Sequence, residues 1–204
     1  MSRTMLVAAA VAMGTMVLPM QAGAEYNPAV QVRYDALGNL VEGPGAHTYS
    51  SSSAPSYTPI PREVVTFDAS YGKGTIVVKT AERRLYLVLG EGKALKYGIG
   101  VGRPGFAWAG AHSVTRKAEW PGWTPPPEMR RRQPHLPAYM SGGPENPLGA
   151  RAMYIGSTYY RIHGSNEPWT IGQAVSSGCF RMTNDDVTDL YERVKVGARV
   201  VVIN

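Results

Sequence analysis

The stretch Thr75-Ile76-Val77-Val78-Lys79-Thr80-Ala81-Glu82-Arg83-Arg84-Leu85-Tyr86-Leu87-Val88-Leu89-Gly90-Glu91-Gly92 decides the fold class. Two runs rich in β-branched and aromatic residues flank the polar turn Thr80-Ala81-Glu82-Arg83, which is the pattern of a β-hairpin. Working outward, Lys93 to Val101 is a third strand after the turn Gly90-Glu91-Gly92, and Val64-Val65-Thr66-Phe67 is a short first strand. Thr115 to Trp120 is another. Ala152-Met153-Tyr154-Ile155-Gly156 and Tyr159-Tyr160-Arg161-Ile162-His163 form a second hairpin, and Arg199 to Ile203 is the last strand. Strands at such short spacing predict antiparallel, mostly β structure. One helix is expected, from Thr183-Asn184-Asp185-Asp186 onward. Thr183 caps it, acids occupy its first turn, and Val187, Leu190, Tyr191 and Val194 recur at helical spacing before Gly197 ends it.

Trp108 to Gly149 is rich in proline and poor in periodic apolar positions. Apart from the strand at Thr115 it reads as a long ordered loop, and loops of that length in compact domains usually serve a function. Trp120, Trp123, Leu136 and Tyr139 suit a lid or wall. Arg130-Arg131-Arg132, set between prolines, is expected to be a solvated loop.

The amino terminus reads differently. Residues 1–24 have the layout of a secretory signal: Arg3, an apolar stretch from Leu6 to Leu18, and Ala22-Gly23-Ala24 before Glu25. An uncleaved anchor is the rival reading, although the stretch is short against the roughly 20 apolar residues of a span. Residues 25–62 look like a flexible linker, since Tyr49 to Ser56 is small and polar. A domain over residues 63–204 follows. The formal charge is +6, and removing residues 1–24, which hold Arg3 and no acid, leaves +5. For an exported protein that basic balance points to an anionic wall polymer in the periplasm and away from nucleic acid. No later segment has the length and apolarity to cross a bilayer. The oligomeric state is not legible.

Cys179 is the only cysteine, in Ser176-Ser177-Gly178-Cys179-Phe180-Arg181-Met182, and His163-Gly164 lies 16 positions upstream. A lone thiol in an oxidising compartment is a liability unless its sulfur does chemistry. A buried structural cysteine is the bland alternative. With an imidazole as base the thiol becomes a nucleophile for acyl transfer. Strand alternation puts Tyr159, Arg161 and His163 on one face, with Tyr160 and Ile162 on the other. Gly178 allows close backbone approach, N–H groups at Gly178 and Cys179 suit an oxyanion, and Arg181 suits a substrate carboxylate. Tyr154 and Trp169 are weaker candidates for the groove wall. The four histidines, His47, His112, His135 and His163, share no ligand spacing and there is no second cysteine, so neither a metal nor another cofactor is expected. Gly98-Ile99-Gly100-Val101-Gly102 is followed by no helix pattern, which excludes the dinucleotide reading.

At His163-Gly164, Ser176, Gly178-Cys179, Arg181 and Met182 the chain resembles the L,D-transpeptidase catalytic domain family (YkuD, ErfK/YbiS type). The likeness extends over about residues 73–204. Phe180 stands where the family usually has Ile or Val, and Ser177 where many members have a second histidine. The resemblance implies a β-sandwich with a Cys/His groove and one helix after the cysteine. It implies peptidoglycan tetrapeptide stems as substrate, Cys179 as nucleophile, His163 as base, the Gly164 carbonyl as orienter of the imidazole, and Ser176 and Ser177 beside the substrate. The acyl acceptor it implies is a diaminopimelate amine, water, or an outer-membrane protein. A hydrolase (L,D-carboxypeptidase) on the same site and a non-catalytic wall-binding module are the alternatives.

Overall fold

The computed structural model describes residues 57–204 and, upstream of them, the backbone of two short antiparallel strands, β1 (Arg33–Tyr34) and β2 (Leu40–Glu42). The signal proposed for residues 1–24 and the polar run Tyr49 to Ser56 lie outside the described residues. From Glu63 the strands are β3 (Glu63–Thr66), β4 (Ile76–Lys79), β5 (Arg84–Gly90), β6 (Lys93–Gly98), β7 (Val101–Gly102) and β8 (Gly110–Glu119). Helix α1 (Pro127–Arg132) follows, then β9 (Arg151–Ile155) and β10 (Arg161–His163). A 3-10 turn (Pro168–Thr170) leads to β11 (Ala174–Ser176), β12 (Phe180–Arg181), α2 (Asn184–Arg193) and β13 (Arg199–Ile203).

Nine strands form one sheet in the order β12-β10-β9-β8-β13-β4-β5-β6-β3, and β11 pairs with β7 separately. The hairpin predicted around Thr80 is β4–β5, with Ile76 opposite Leu87 and Val78 opposite Leu85. Alternation along these strands separates two apolar faces. Ile76, Val78, Leu85, Leu87 and Tyr97 join the main core, while Val77, Tyr86, Val88 and Ala94 form a second cluster behind the sheet. β8 is the long connector. Its first residues pair with β13 and its later ones, past a register shift between Val114 and Arg116, pair with β9. Such irregularities bend a strand. Core residues from both halves, Ile76 and Val200 on one side and Met153, Ile162 and Phe180 on the other, meet in a single cluster. Each fully buried side chain of this kind contributes about 1.5–3 kcal/mol.

α2 forms where its caps and stripe predict. Thr183 Oγ1 accepts the Asp186 N–H at 3.1 Å, Asp185 and Asp186 fill the first turn, and Val187, Leu190 and Val194 enter the core. Arg62 reaches α2 from upstream, with Nε 3.2 Å from Asp186 and Nη1 3.1 Å from Asp189. Three expectations change. β13 runs parallel to β4, β10 to β12 and β11 to β7, where the short strand spacing predicts antiparallel pairing. The strand read at Thr115 begins at Gly110, where it gains β13 as partner. The Arg130-Arg131-Arg132 run is helical, not loop: Pro126 and Pro127 preset the first turn, and the arginines remain exposed in the last. Among the described residues, no helix is long and apolar enough to cross a membrane.

Candidate active site

β10 and β12 run parallel, with Ile162 beside Phe180 and His163 beside Arg181. Ile162 and Phe180 both point into the core and are fully buried. By strand alternation Arg161 and His163 on β10 and Arg181 on β12 share the opposite face, and Cys179, the residue just before β12, opens to the same side. All four line one cleft, together with Tyr159, Ser176 and Ser177. The expectation that Tyr159, Arg161 and His163 share a face is met: Ile162 is in the core, and Tyr160 packs against it.

The far wall of the cleft is the proline-rich segment, which contributes Trp123, Pro126, Met129, Leu136, Met140 and Leu148. This wall has its own fastenings. Trp123 and Met140 exchange backbone hydrogen bonds at 2.8 Å each. The buried Asn146 amide donates to Ser141 O at 2.8 Å and accepts the Leu148 N–H at 2.9 Å. Phe106, on the loop before β8, lies between Arg103 and Arg132, at 4.4 and 5.0 Å from its ring centre. The cleft holds about 90 Å³.

Cys179 is half-buried and unpaired by any disulfide, with Sγ 3.7 Å from the Tyr159 carbonyl. The loop carrying it is held from three directions. Ser176 Oγ donates to Cys179 O at 2.6 Å and accepts the Gly178 N–H at 3.1 Å. Trp108 Nε1 donates to Gly178 O at 2.9 Å. Gly178 has φ +104°, and a Cβ there would fall 2.5 Å from Tyr160 Cε1. The Tyr160 ring is itself stacked on Trp108 at 4.5 Å. Glycine is therefore required at 178 for both conformation and space.

His163 is 4% exposed. Its Nδ1 lies 2.6 Å from Gly164 O. A carbonyl can only accept, so Nδ1 carries the hydrogen and Nε2 is the free basic nitrogen. Burial, then the nearby Arg181 charge, push the ring pKa down to about 3, against the raising effect of the Gly164 bond. The imidazole is neutral at neutral pH. Gly164 is packed as tightly as its neighbours allow: a Cβ would meet Asn184 Oδ1 at 2.3 Å.

Arg181 is buried, with Nη1 3.8 Å from the buried Glu167. Glu167 lies on the connection between base and cysteine. Nothing in the sequence distinguished it as a partner, and the same holds for Trp108, which is 71 positions from Cys179. Arg161 was visible only as a strand residue. Four candidates stand outside the cleft lining: Gly164 and Gly178, whose backbones flank it, Tyr154 and Trp169. Tyr154 lies on β9 with its ring between Arg116 at 3.7 Å and Arg161 at 5.1 Å. Trp169 is in the 3-10 turn, where its carbonyl accepts from Gln173 Nε2 at 3.0 Å. Both aromatics are half-buried. Among the described residues there is no cluster of three or more metal-ligating side chains.

The family described as L,D-transpeptidase catalytic domain matches residues 73–202. The probable L,D-transpeptidase ErfK/SrfK of Escherichia coli is 40% identical over 178 residues, which are 82% of this chain and 56% of that protein. The probable L,D-transpeptidase YbiS of the same organism is 37% identical over the same shares. The chain thus spans little more than half the length of these curated relatives. The crystal structure of L,D-transpeptidase 3 from Mycobacterium tuberculosis is similar in fold, with a TM-score of 0.51 at 16% identity over 64% of this chain and 60% of that one. Profile match, relatives and strand arrangement agree, and the chain belongs to the L,D-transpeptidase catalytic domain family.

Proposed function

We propose that this protein is an exported L,D-transpeptidase of the periplasm, with its catalytic domain in residues 63–204, acting on the tetrapeptide stems of peptidoglycan. The observation that carries this reading is that Cys179, just before β12, and His163, on the adjacent β10, line one cleft. Sγ attacks the carbonyl on the L-centre of diaminopimelate, next to the terminal D-alanine, while His163 Nε2 takes the thiol proton. The tetrahedral intermediate collapses as His163 returns that proton to the leaving amine. D-Alanine departs and a thioester remains on Cys179. An acceptor amine then attacks, His163 takes its proton, and the new amide leaves as the sulfur recovers the proton. With a second diaminopimelate as acceptor the product is a 3→3 cross-link. With an amine of an outer-membrane protein it is a wall-anchored protein.

The oxyanion donor differs from the simplest sequence expectation. Gly178 N–H is given to Ser176 Oγ, which leaves the Cys179 N–H for that task. The Gly164 carbonyl sets the tautomer that leaves the Nε2 lone pair free to accept the thiol proton. Ser176 shapes the cysteine loop and is not a second nucleophile, since its hydroxyl is committed to Cys179 O.

Incubating the protein with purified disaccharide-tetrapeptide and weighing the products tests this. A dimer short of one D-alanine is expected. Accumulation of tripeptide alone would make the protein a carboxypeptidase on the same site, and unchanged substrate would leave only wall binding. Cys179→Ala abolishes the reaction and leaves the fold intact.

A further inference from the structure

We propose that Arg161 is the specificity-determining cation of the cleft, holding the free carboxylate of the substrate residue that leaves, directly beside Cys179. A shared carbonyl places it there. Arg161 and Cys179 precede the paired Ile162 and Phe180, both line the cleft, and both side chains reach the Tyr159 carbonyl.

The two cationic side chains in this cleft differ in what surrounds them. Arg181 already faces the carboxylate of Glu167, and both are buried. Arg161 has no carboxylate within ion-pairing distance among the described residues. Its Nη1 donates to Tyr159 O at 2.9 Å, the same carbonyl that Sγ of Cys179 approaches at 3.7 Å. Its Nε is out of water and has no hydrogen-bond partner. A buried polar atom left so requires an explanation. With Nη1 engaged on the Tyr159 carbonyl and no carboxylate beside it, the guanidinium brings an uncompensated positive charge to the cleft wall, and that charge suits a carboxylate. The Tyr154 ring, 5.1 Å from the guanidinium carbon, backs the group from β9. Tyr154 is in this way a positioning residue that acts through Arg161.

The chemistry of the substrate supplies the second half. In a tetrapeptide donor the terminal carboxylate lies one residue beyond the scissile carbonyl. A cation adjacent to the nucleophile is where an enzyme that removes only a terminal residue has to recognise that end. This half rests on the function proposed above; the carboxylate site itself does not.

The test compares reagents that differ only in the carboxylate. Iodoacetate and iodoacetamide each form one C–S bond at Cys179, with iodide leaving and the thiol proton lost to base. Both read the same sulfur, so the ratio of their rates cancels any change in thiol reactivity. Arg161→Gln is expected to lower the iodoacetate-to-iodoacetamide ratio about ten- to a hundredfold, and Arg161→Lys to retain part of it. With the disaccharide-tetrapeptide and its C-terminal amide as paired donors, wild type is expected to prefer the acid by kcat/KM, and Arg161→Gln to erase the preference. An unchanged alkylation ratio in folded Arg161→Gln overturns the carboxylate site. A lowered ratio in a protein that turns over neither donor keeps the site and overturns the transpeptidase reading instead. Melting curves of both variants establish that they are folded.

Discussion

The Ser176 hydroxyl is bonded to the carbonyl of Cys179 at 2.6 Å, closing a three-residue turn around Gly178. The same oxygen takes the Gly178 N–H. One buried side chain thereby fixes the backbone on both sides of the sulfur. Ser176→Ala leaves a buried N–H without its acceptor, a loss of about 1–3 kcal/mol. Turnover is expected to fall about ten- to a hundredfold through misplacement of the cysteine loop. Urea unfolding and steady-state kinetics check the pair of effects. Complete loss of activity with unchanged stability would contradict this account, because it would mean that the hydroxyl itself does chemistry.

Gly178→Ala probes the same loop from the outside. The new Cβ meets the Tyr160 ring and lies 3.2 Å from Phe106 O, at a φ of +104° that side chains rarely adopt. Strain of this kind is worth about 1–3 kcal/mol. The Trp108–Tyr160 stack blocks relaxation in one direction and the Trp108 bond to Gly178 O in another. The expected outcome is a folded protein with a lower melting temperature and alkylation of Cys179 slowed or accelerated severalfold. Wild-type kinetics with wild-type stability would show that the loop is more compliant than its contacts imply.

Acid stability should carry the mark of His163. In the unfolded chain the imidazole gains its proton near pH 6.5. In the folded protein, burial and Arg181 hold that step back to about 3. Between those values the unfolded state binds more protons. The stability that comes from keeping the ring neutral is whole above pH 6.5 and is lost progressively as the pH falls toward 3. Over the first two units that is about 2–3 kcal/mol. His163→Gln removes the titrating group, so the change in urea midpoint between pH 7 and 4.5 is expected to shrink. An identical pH dependence in wild type and variant would place the titration elsewhere.

The parts legible in the sequence are those encoded by local pattern. The β4–β5 hairpin follows from two β-branched runs and a polar turn, α2 from Thr183 and its helical stripe, and the shared face of Tyr159, Arg161 and His163 from alternation. The cysteine motif and His163-Gly164 carry the family resemblance in the sequence itself. What escaped notice depends on contacts between distant segments. Trp108 reaches Gly178 only because β7 and β11 bring their loops together, and Glu167 meets Arg181 across a connection without regular spacing. For Tyr154 and Trp169 the sequence holds no local signal of which side an aromatic on a strand or turn faces. In the structure the Tyr154 ring backs Arg161, and Trp169 lies in the 3-10 turn.

The lid yields the last prediction. A cleft of about 90 Å³ is small against the roughly 300 Å³ at which pockets for drug-sized ligands begin, so the proposed stem-peptide substrate is expected to bind with the proline-rich wall displaced as a lid. Asn146 is the fastening to loosen. It is 1% exposed, and its side chain joins Met140, Ser141 and Leu148 within one turn of chain. Asn146→Ala strands the Ser141 carbonyl and the Leu148 N–H and removes one of two donors from the Met140 carbonyl. Hydrogen exchange at the Trp123 and Met140 amides is expected to quicken about tenfold or more, while Ile76 to Val78 in the core exchange as before. Because the catalytic residues keep their places, KM should change more than the rate of thioester formation measured in a single turnover. Exchange that quickens equally in lid and core would show that Asn146 supports the whole domain and that the lid has no opening of its own.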